Sequence, residues 1–219
     1  MGKVITFEGI DGTGKTFWAK KLSEYFSDNS IYLDKKSLEC SERKYIQEVG
    51  KNLGKVIWKA QENDPIELLS DRGWLFLHLA WLYIFQENVL LPLKNKYEIV
   101  FLDGWYYKIL SRFMKKEMYD ENFLISLFEN LEKPQKSIFL DKDISTCYNQ
   151  KTSFTKCELG RMDGIVGNEK ESFIKYQSSI RHNYIRLIDA KIMSNVVYIN
   201  DIDSDAIYSK CVEIVKQEL

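Results

Sequence analysis

A three-layer α/β sandwich around a parallel five-stranded sheet is the fold this sequence predicts. Five short runs of β-branched, aromatic or aliphatic residues, Val4–Glu8, Ile31–Leu33, Ile99–Leu102, Ser137–Leu140 and Val196–Ile199, are separated by stretches with helical spacing. Strand and helix therefore alternate along the chain, as a parallel sheet with right-handed crossovers requires. The 219 residues, 45% of them hydrophobic, suffice for one sizeable core, so residues 1–219 read as a single domain.

Each element has its own warrant. Val4 to Glu8 alternates little, which suits a buried strand, and Phe17, Leu22 and Phe26 give the next segment a helical face. Residues 34–61 are polar and lysine-rich, helical in pieces. Asp64-Pro65-Ile66-Glu67 combines an N-cap, a proline at the first helical position and a carboxylate three residues after the cap. A long helix is expected to start there and to run to about Leu91, with Leu75, Leu79, Leu82 and Leu90 on its apolar face and Pro92 marking its end. Ile99 to Leu102 closes on Asp103-Gly104, as a central parallel strand does when its carboxyl end faces a site. Helices over 105–116 and 120–131 follow, then the strand that ends at Asp141 and a short helix over 144–150. Residues 152–168 hold three glycines and little periodicity, the pattern of a surface loop. A helix from Glu169 to about Met193, the last strand and a helix over 203–218 complete the chain.

Composition excludes several function classes. Lys and Arg number 31 against 32 acidic residues, so no basic face is available to wrap a nucleic acid, and any bound anion must be met locally. Cys40, Cys147, Cys157 and Cys211 form no C-x-x-C pair, which argues against a zinc ribbon and fits reducing cytoplasm. The most apolar stretch, Trp74 to Leu93, is interrupted by His78, Gln86, Glu87, Asn88 and Pro92, and reads as a core helix rather than a membrane span. Met1 to Lys3 leads directly into the first strand without a hydrophobic signal segment.

The chemistry is concentrated after that strand. Gly9-Ile10-Asp11-Gly12-Thr13-Gly14-Lys15-Thr16 satisfies G-x-x-x-x-G-K-[ST] at every fixed position, between an apolar strand and an amphipathic helix. Glycines let successive amides turn inward, and the helix adds its positive end, so the loop is a cradle for phosphate oxygens. Lys15 is expected at the β- and γ-phosphates of ATP, with the Thr16 hydroxyl on Mg²⁺. The fold expectation sharpens to that of the P-loop-containing nucleoside triphosphate hydrolases.

From Phe7 to Thr16 the sequence resembles the opening of the thymidylate kinases, P-loop nucleoside monophosphate kinases in which an acidic residue inside the loop faces the sugar of the acceptor. Asp11 matches that residue. Leu68-Leu69-Ser70-Asp71-Arg72 resembles the helical stretch whose arginine contacts the acceptor, and Val100 to Trp105 lies where the family carries an Asp-Arg-aromatic motif. Residues 155–163 correspond to its lid over ATP, and Glu171, Phe173 and Tyr184 to the helix after the lid. The resemblance implies a homodimer built on the long helices, with ATP and Mg²⁺ and a nucleotide or nucleoside as the small-molecule acceptor.

At several positions the chain departs from the family pattern. Gly104 stands where the family uses an arginine to hold the acceptor phosphate, and glycine has no side-chain donor. The Arg-Glu-Pro-Gly-Gly segment is absent, leaving Lys35, Lys36 and Arg43 as nearby cations. Asp103 is expected to hold Mg²⁺ or orient the acceptor, against the plainer reading of a helix cap. Arg72 and Trp105 are candidate acceptor contacts, the former equally readable as a solvated helix residue. Arg161, between Gly160 and Gly164, could offset charge on the transferring phosphoryl group as an arginine finger does, or be an ordinary surface arginine. Trp74, Phe76, Trp81 and Phe85 read as core or subunit contacts. Three functions stay open at this point: a nucleoside monophosphate kinase, a kinase of an unphosphorylated nucleoside or other alcohol, and a non-catalytic ATP-binding protein.

Overall fold

The structure, a computed structural model, describes residues 1–59, 69–200 and 203–219. Strands β1 (Lys3–Glu8), β2 (Ser30–Leu33), β3 (Ile99–Asp103), β4 (Lys136–Leu140) and β5 (Val196–Ile199) form one sheet of order β2-β3-β1-β4-β5, with every neighbouring pair parallel. The central strand is β1, and its residues divide by the two-residue period of a strand. Val4 packs into the core on one face while Ile5 and Phe7 pack into the core on the other. In β3, Val100 and Leu102 join the first core, Ile99 and Phe101 the second.

Helices cover both faces, which makes three layers. Helix α1 (Lys15–Phe26) and the C-terminal α9 (Ser204–Lys216) close the face of Ile5 and Phe101. The opposite face is covered by α3 (Asp71–Phe85), α5 (Tyr106–Phe113), α6 (Glu121–Phe128) and α8 (Glu169–Asp189). The short α2 (Lys44–Gly54) falls in the polar segment, and α7 (Ile144–Asn149) leads toward the glycine-rich loop. Within 152–168 the regular structure is a 3-10 turn over Arg161–Asp163.

The long helix differs from expectation at both ends. Asp64 lies outside the described residues, and α3 begins at Asp71, where the Ser70 side chain accepts from Gly73 N–H at 3.2 Å. Pro92 does not stop the helix, because a π turn over Gln86–Leu90 precedes α4 (Leu91–Lys96). Pro92 sits in the first turn of α4, where a missing N–H is tolerated. The stretch Asp71–Lys96 is long and apolar enough to cross a membrane by composition, yet half of its most apolar window is buried inside the fold.

Candidate active site

Parallel register sets Phe7 opposite Asp103, so the carboxyl ends of β1 and β3 lie side by side. The helices that follow them go to opposite faces, α1 to one and α5 to the other. A crevice opens where adjacent strands send their chains apart, and in α/β sheets ligands bind there.

The glycine loop fills one side of that crevice. Gly9 has φ 137° and a Cβ there would fall 2.7 Å from the Leu140 carbonyl, while Gly12 has φ 89° and a Cβ would fall 2.7 Å from the Cys147 carbonyl. Side chains are excluded from both positions, and the main chain itself lines the hollow. Lys15 donates from Nζ to the Ile10 carbonyl at 2.6 Å, curling over the loop as a phosphate-binding lysine does. Burial, and then repulsion by Lys108, pulls its pKa down to about 8 despite Asp11, Asp103 and Glu8 nearby. Thr16 Oγ1 donates to Asp103 Oδ2 at 2.6 Å, and Tyr32 O–H donates to the same oxygen at 3.3 Å. A hydroxyl and a carboxylate are hard oxygen ligands and suit Mg²⁺. Among the described residues no group of three or more His, Cys, Asp and Glu side chains could hold a metal ion.

Asp11 is the hub of the other side. Lys108 Nζ donates to its Oδ1, Arg112 Nη2 lies 3.6 Å from its Oδ2, and Gln177 Nε2 donates to Oδ2 at 3.2 Å. Gln177 also accepts from Asp11 N–H at 3.1 Å and donates to the Glu158 carbonyl at 2.9 Å, tying the phosphate loop to residues 152–168. Burial alone would raise the Asp11 carboxyl, but Lys108, Arg112 and Lys15 outweigh it and hold the group well below the usual carboxylate range. Beneath this hub lies Glu8, fully buried. Its carboxyl accepts from Thr6 Oγ1 at 2.9 Å, Trp105 N–H at 2.7 Å and Tyr184 O–H at 2.8 Å, joining β1, the start of α5 and α8. Burial raises its pKa and the three donors oppose that rise.

Asp11, Lys15, Thr16, Asp103, Lys108 and Arg112 open onto one cavity of about 1830 Å³, lined by described residues from the phosphate loop, α3, α5 and residues 150–164. Sites for one small ligand are typically about 300–1000 Å³, and this space exceeds that range. Its far wall is aromatic: Trp81 stacks on Phe85 at 4.9 Å, Trp58 meets Trp81 edge-on at 5.1 Å, and Phe85 lies 5.7 Å from Trp105. Burial draws His78, also on the lining, down to about 4, so it is neutral near pH 7.

Asp11, Gly12, Gly14, Lys15, Thr16, Asp103, Trp105 and Arg161 all line this cavity. Gly9 and Thr13 shape the loop behind it, Thr13 Oγ1 donating to the Ile10 carbonyl at 3.0 Å. Trp105 is fixed at both ends, its indole donating to the Glu132 carbonyl at 2.9 Å. Arg161 spends its guanidinium on its own loop, donating to the Ile165 and Gly167 carbonyls at 2.8 Å each. Arg72 is exposed in the first turn of α3 and is not on the lining, whereas Asp71 is. Trp74, Trp81 and Phe85, expected as core, are buried but also wall the cavity; Phe76 points out and is 51% exposed. Sequence reasoning missed Lys108, Arg112, Gln177 and Glu8. A signal for the first two existed, since they stand four residues apart on a helix that starts just after a central strand ends.

Sheet order and the glycine cradle between β1 and α1 define a protein with the P-loop nucleoside triphosphate hydrolase fold. The chain matches no protein-family model. A probable thymidylate kinase of Pyrococcus horikoshii is 28% identical over 221 residues, spanning 100% of this chain and 98% of that one. Another from Saccharolobus solfataricus is 24% identical over 226 residues and spans both chains completely. The thymidylate kinase structure from Candida albicans superposes with a TM-score of 0.70 at 18% identity, covering 99% of this chain and 92% of its own. That from Ehrlichia chaffeensis gives 0.62 at 18% identity, covering 98% of each. Along its whole length the chain is similar to probable thymidylate kinases, and it shares the fold of the solved ones.

Proposed function

We propose that this protein is a phosphotransferase that moves the γ-phosphoryl group of MgATP to a nucleoside monophosphate. The observation that carries the reading is the continuity of one cavity from the phosphate loop to the aromatic wall, with Asp11 at the junction. An acceptor oxygen attacks the γ-phosphorus, the bond to the β–γ bridging oxygen breaks, and ADP leaves with that oxygen's charge. Because such transition states are loose and highly charged, the protein contributes alignment and electrostatics. Lys15 offsets charge on the transferring group, and the loop amides hold the phosphates that flank it. Mg²⁺, on Thr16 Oγ1 and on Asp103 directly or through water, supplies further charge compensation when bound. Asp11, braced by Gln177, orients the acceptor against the loop, and Trp105 with its aromatic neighbours shields the acceptor from water. Arg161, on the lid, reaches the phosphoryl group by leaving its loop carbonyls. Thymidine monophosphate is the acceptor that the relatives' names suggest. A cytoplasmic homodimer joined through the exposed face of α3, where Phe76 projects, fits the same reading.

A second reading, a kinase of unphosphorylated nucleosides, is favoured by one observation: Gly104 offers no side chain where an acceptor phosphate would be met. Coupled ADP release with Mg²⁺ and paired acceptors, each nucleoside beside its monophosphate, separates the two. Monophosphate turnover that Lys15→Ala abolishes supports the proposal. Turnover with nucleosides alone replaces it with the second reading, and ATP binding without transfer to any acceptor rejects both.

A further inference from the structure

Gly104 leaves a gap in the donor set, and the fold fills it from one turn further along. A Cβ at Gly104 would meet only the Phe7 carbonyl at 4.0 Å, so the end of β3 opens on the cavity without contributing a donor. Helix α5 begins two residues on, and a step of four brings positions 108 and 112 onto one face of it. Lys108 and Arg112 both line the cavity, and both converge on the Asp11 carboxylate. Lys116, past the end of α5, is already matched by Asp71 at 2.9 Å and by Asp163.

Charge at Asp11 is not matched in that way. Four cations, Lys15, Lys35, Lys108 and Arg112, gather around the carboxyls of Asp11, Asp103 and the buried Glu8, and Asp103 has neutral hydroxyls, Thr16 and Tyr32, as its hydrogen-bond donors. Positive charge is therefore in surplus where the phosphate loop meets the aromatic wall. It is also within reach, since the side chains of Lys108 and Arg112 keep 19% and 23% of their exposure.

We propose that Lys108, seconded by Arg112, is the specificity-determining residue that binds the acceptor's phosphate in place of an arginine at position 104. In the free protein Asp11 occupies this cation, and the incoming phosphate takes it over, leaving Asp11 to face the acceptor's hydroxyls. The inference rests on the monophosphate reading above. The same ammonium could instead serve the γ-phosphate of ATP, and the test separates these two phosphates.

Steady-state kinetics of Lys108→Met, close to lysine in length and without charge, are compared with wild type for a nucleoside monophosphate, its nucleoside and ATP. Loss of one charge-assisted donor raises the monophosphate KM by roughly tenfold to a hundredfold, with the ATP KM within about twofold and kcat less affected than KM. Lys108→Arg, which keeps the charge, stays within a few-fold of wild type for the monophosphate. An equal fall with nucleoside and monophosphate, a raised ATP KM, or an unchanged monophosphate KM each overturns the assignment. Should Lys108→Met lose its thermal unfolding transition, Lys108→Gln is read by the same criteria. Wild-type protein that phosphorylates no monophosphate would remove the underlying reading as well, a result distinct from normal monophosphate turnover that ignores Lys108.

Discussion

Removing the Tyr184 hydroxyl tests the buried junction that ties α8 to the phosphate-loop strand. Tyr184 and Glu8 are both fully buried, and the phenol donates to Glu8 Oε2 at 2.8 Å. Tyr184→Phe keeps the ring in place, so the change is confined to the phenol's own hydrogen bonds, the one it accepts from Gly9 N–H and the one it donates to Glu8. The latter's worth depends on the state of Glu8: about 1.5–3 kcal/mol if the carboxyl is ionised and about 0.5–1.5 if it is neutral. The native pKa of Glu8 is raised by burial, so relative to the unfolded chain the native state holds its proton to higher pH. Stability from this group is present below the unfolded value of about 4.5 and is lost as pH rises through the raised native value. Tyr184→Phe deprives the ionised form of a donor, so its cost grows in the alkaline direction. Urea unfolding over a pH series that starts below the unfolded value, with unchanged m-values, reads the trend directly. The cost for the ionised form corresponds to a Tm decrease of roughly 3–12 °C for a chain of this size. A cost that falls as pH rises, or one below about 0.5 kcal/mol throughout, refutes the account of this junction.

Two further outcomes follow from the site. With Lys15 titrating near 8, ATP affinity measured by calorimetry falls as pH rises through that value, because the phosphates need the ammonium form. Affinity that is flat from pH 6.5 to 9.5 counts against the electrostatics described for the loop. Arg161→Ala lowers kcat at least about a hundredfold with little change in ATP KM if the guanidinium reaches the transferring phosphoryl group. A variant that alters only proteolytic cleavage in 152–168, at wild-type kcat, leaves Arg161 as a brace for the Ile165 and Gly167 carbonyls.

Local chemistry made much of this protein legible in one dimension. The phosphate loop is a contiguous run of residues whose glycine spacing has one efficient backbone solution, and its contacts from Lys15 to Ile10 and Thr13 to Ile10 are local. The five strands were legible because buried parallel strands are apolar on both faces. Asp103 was legible because such a run stops where the chain meets a site. Pro92 misled for a physical reason: a π turn upstream moves it into a first turn, and proline by itself carries no record of that register. The reading of Trp74, Trp81 and Phe85 as core or subunit contacts did not include the cavity, because burial against a core and burial against a cavity leave the same apolar signature.

What the tertiary structure alone decided is which distant side chains share a charge. Gln177 reaches Asp11 across 166 residues, Tyr184 reaches Glu8 across 176, and Lys108 reaches Asp11 across 97. A lysine on an amphipathic helix reads as solvated until the crossovers place that helix against the phosphate loop. The sequence therefore determined the fold class, the glycine cradle and the family likeness, all set by short-range sterics and hydrophobic period. The charged cluster around Asp11 depends on how α5 and α8 pack over the carboxyl ends of β1 and β3, because charge acts through space and not along the chain.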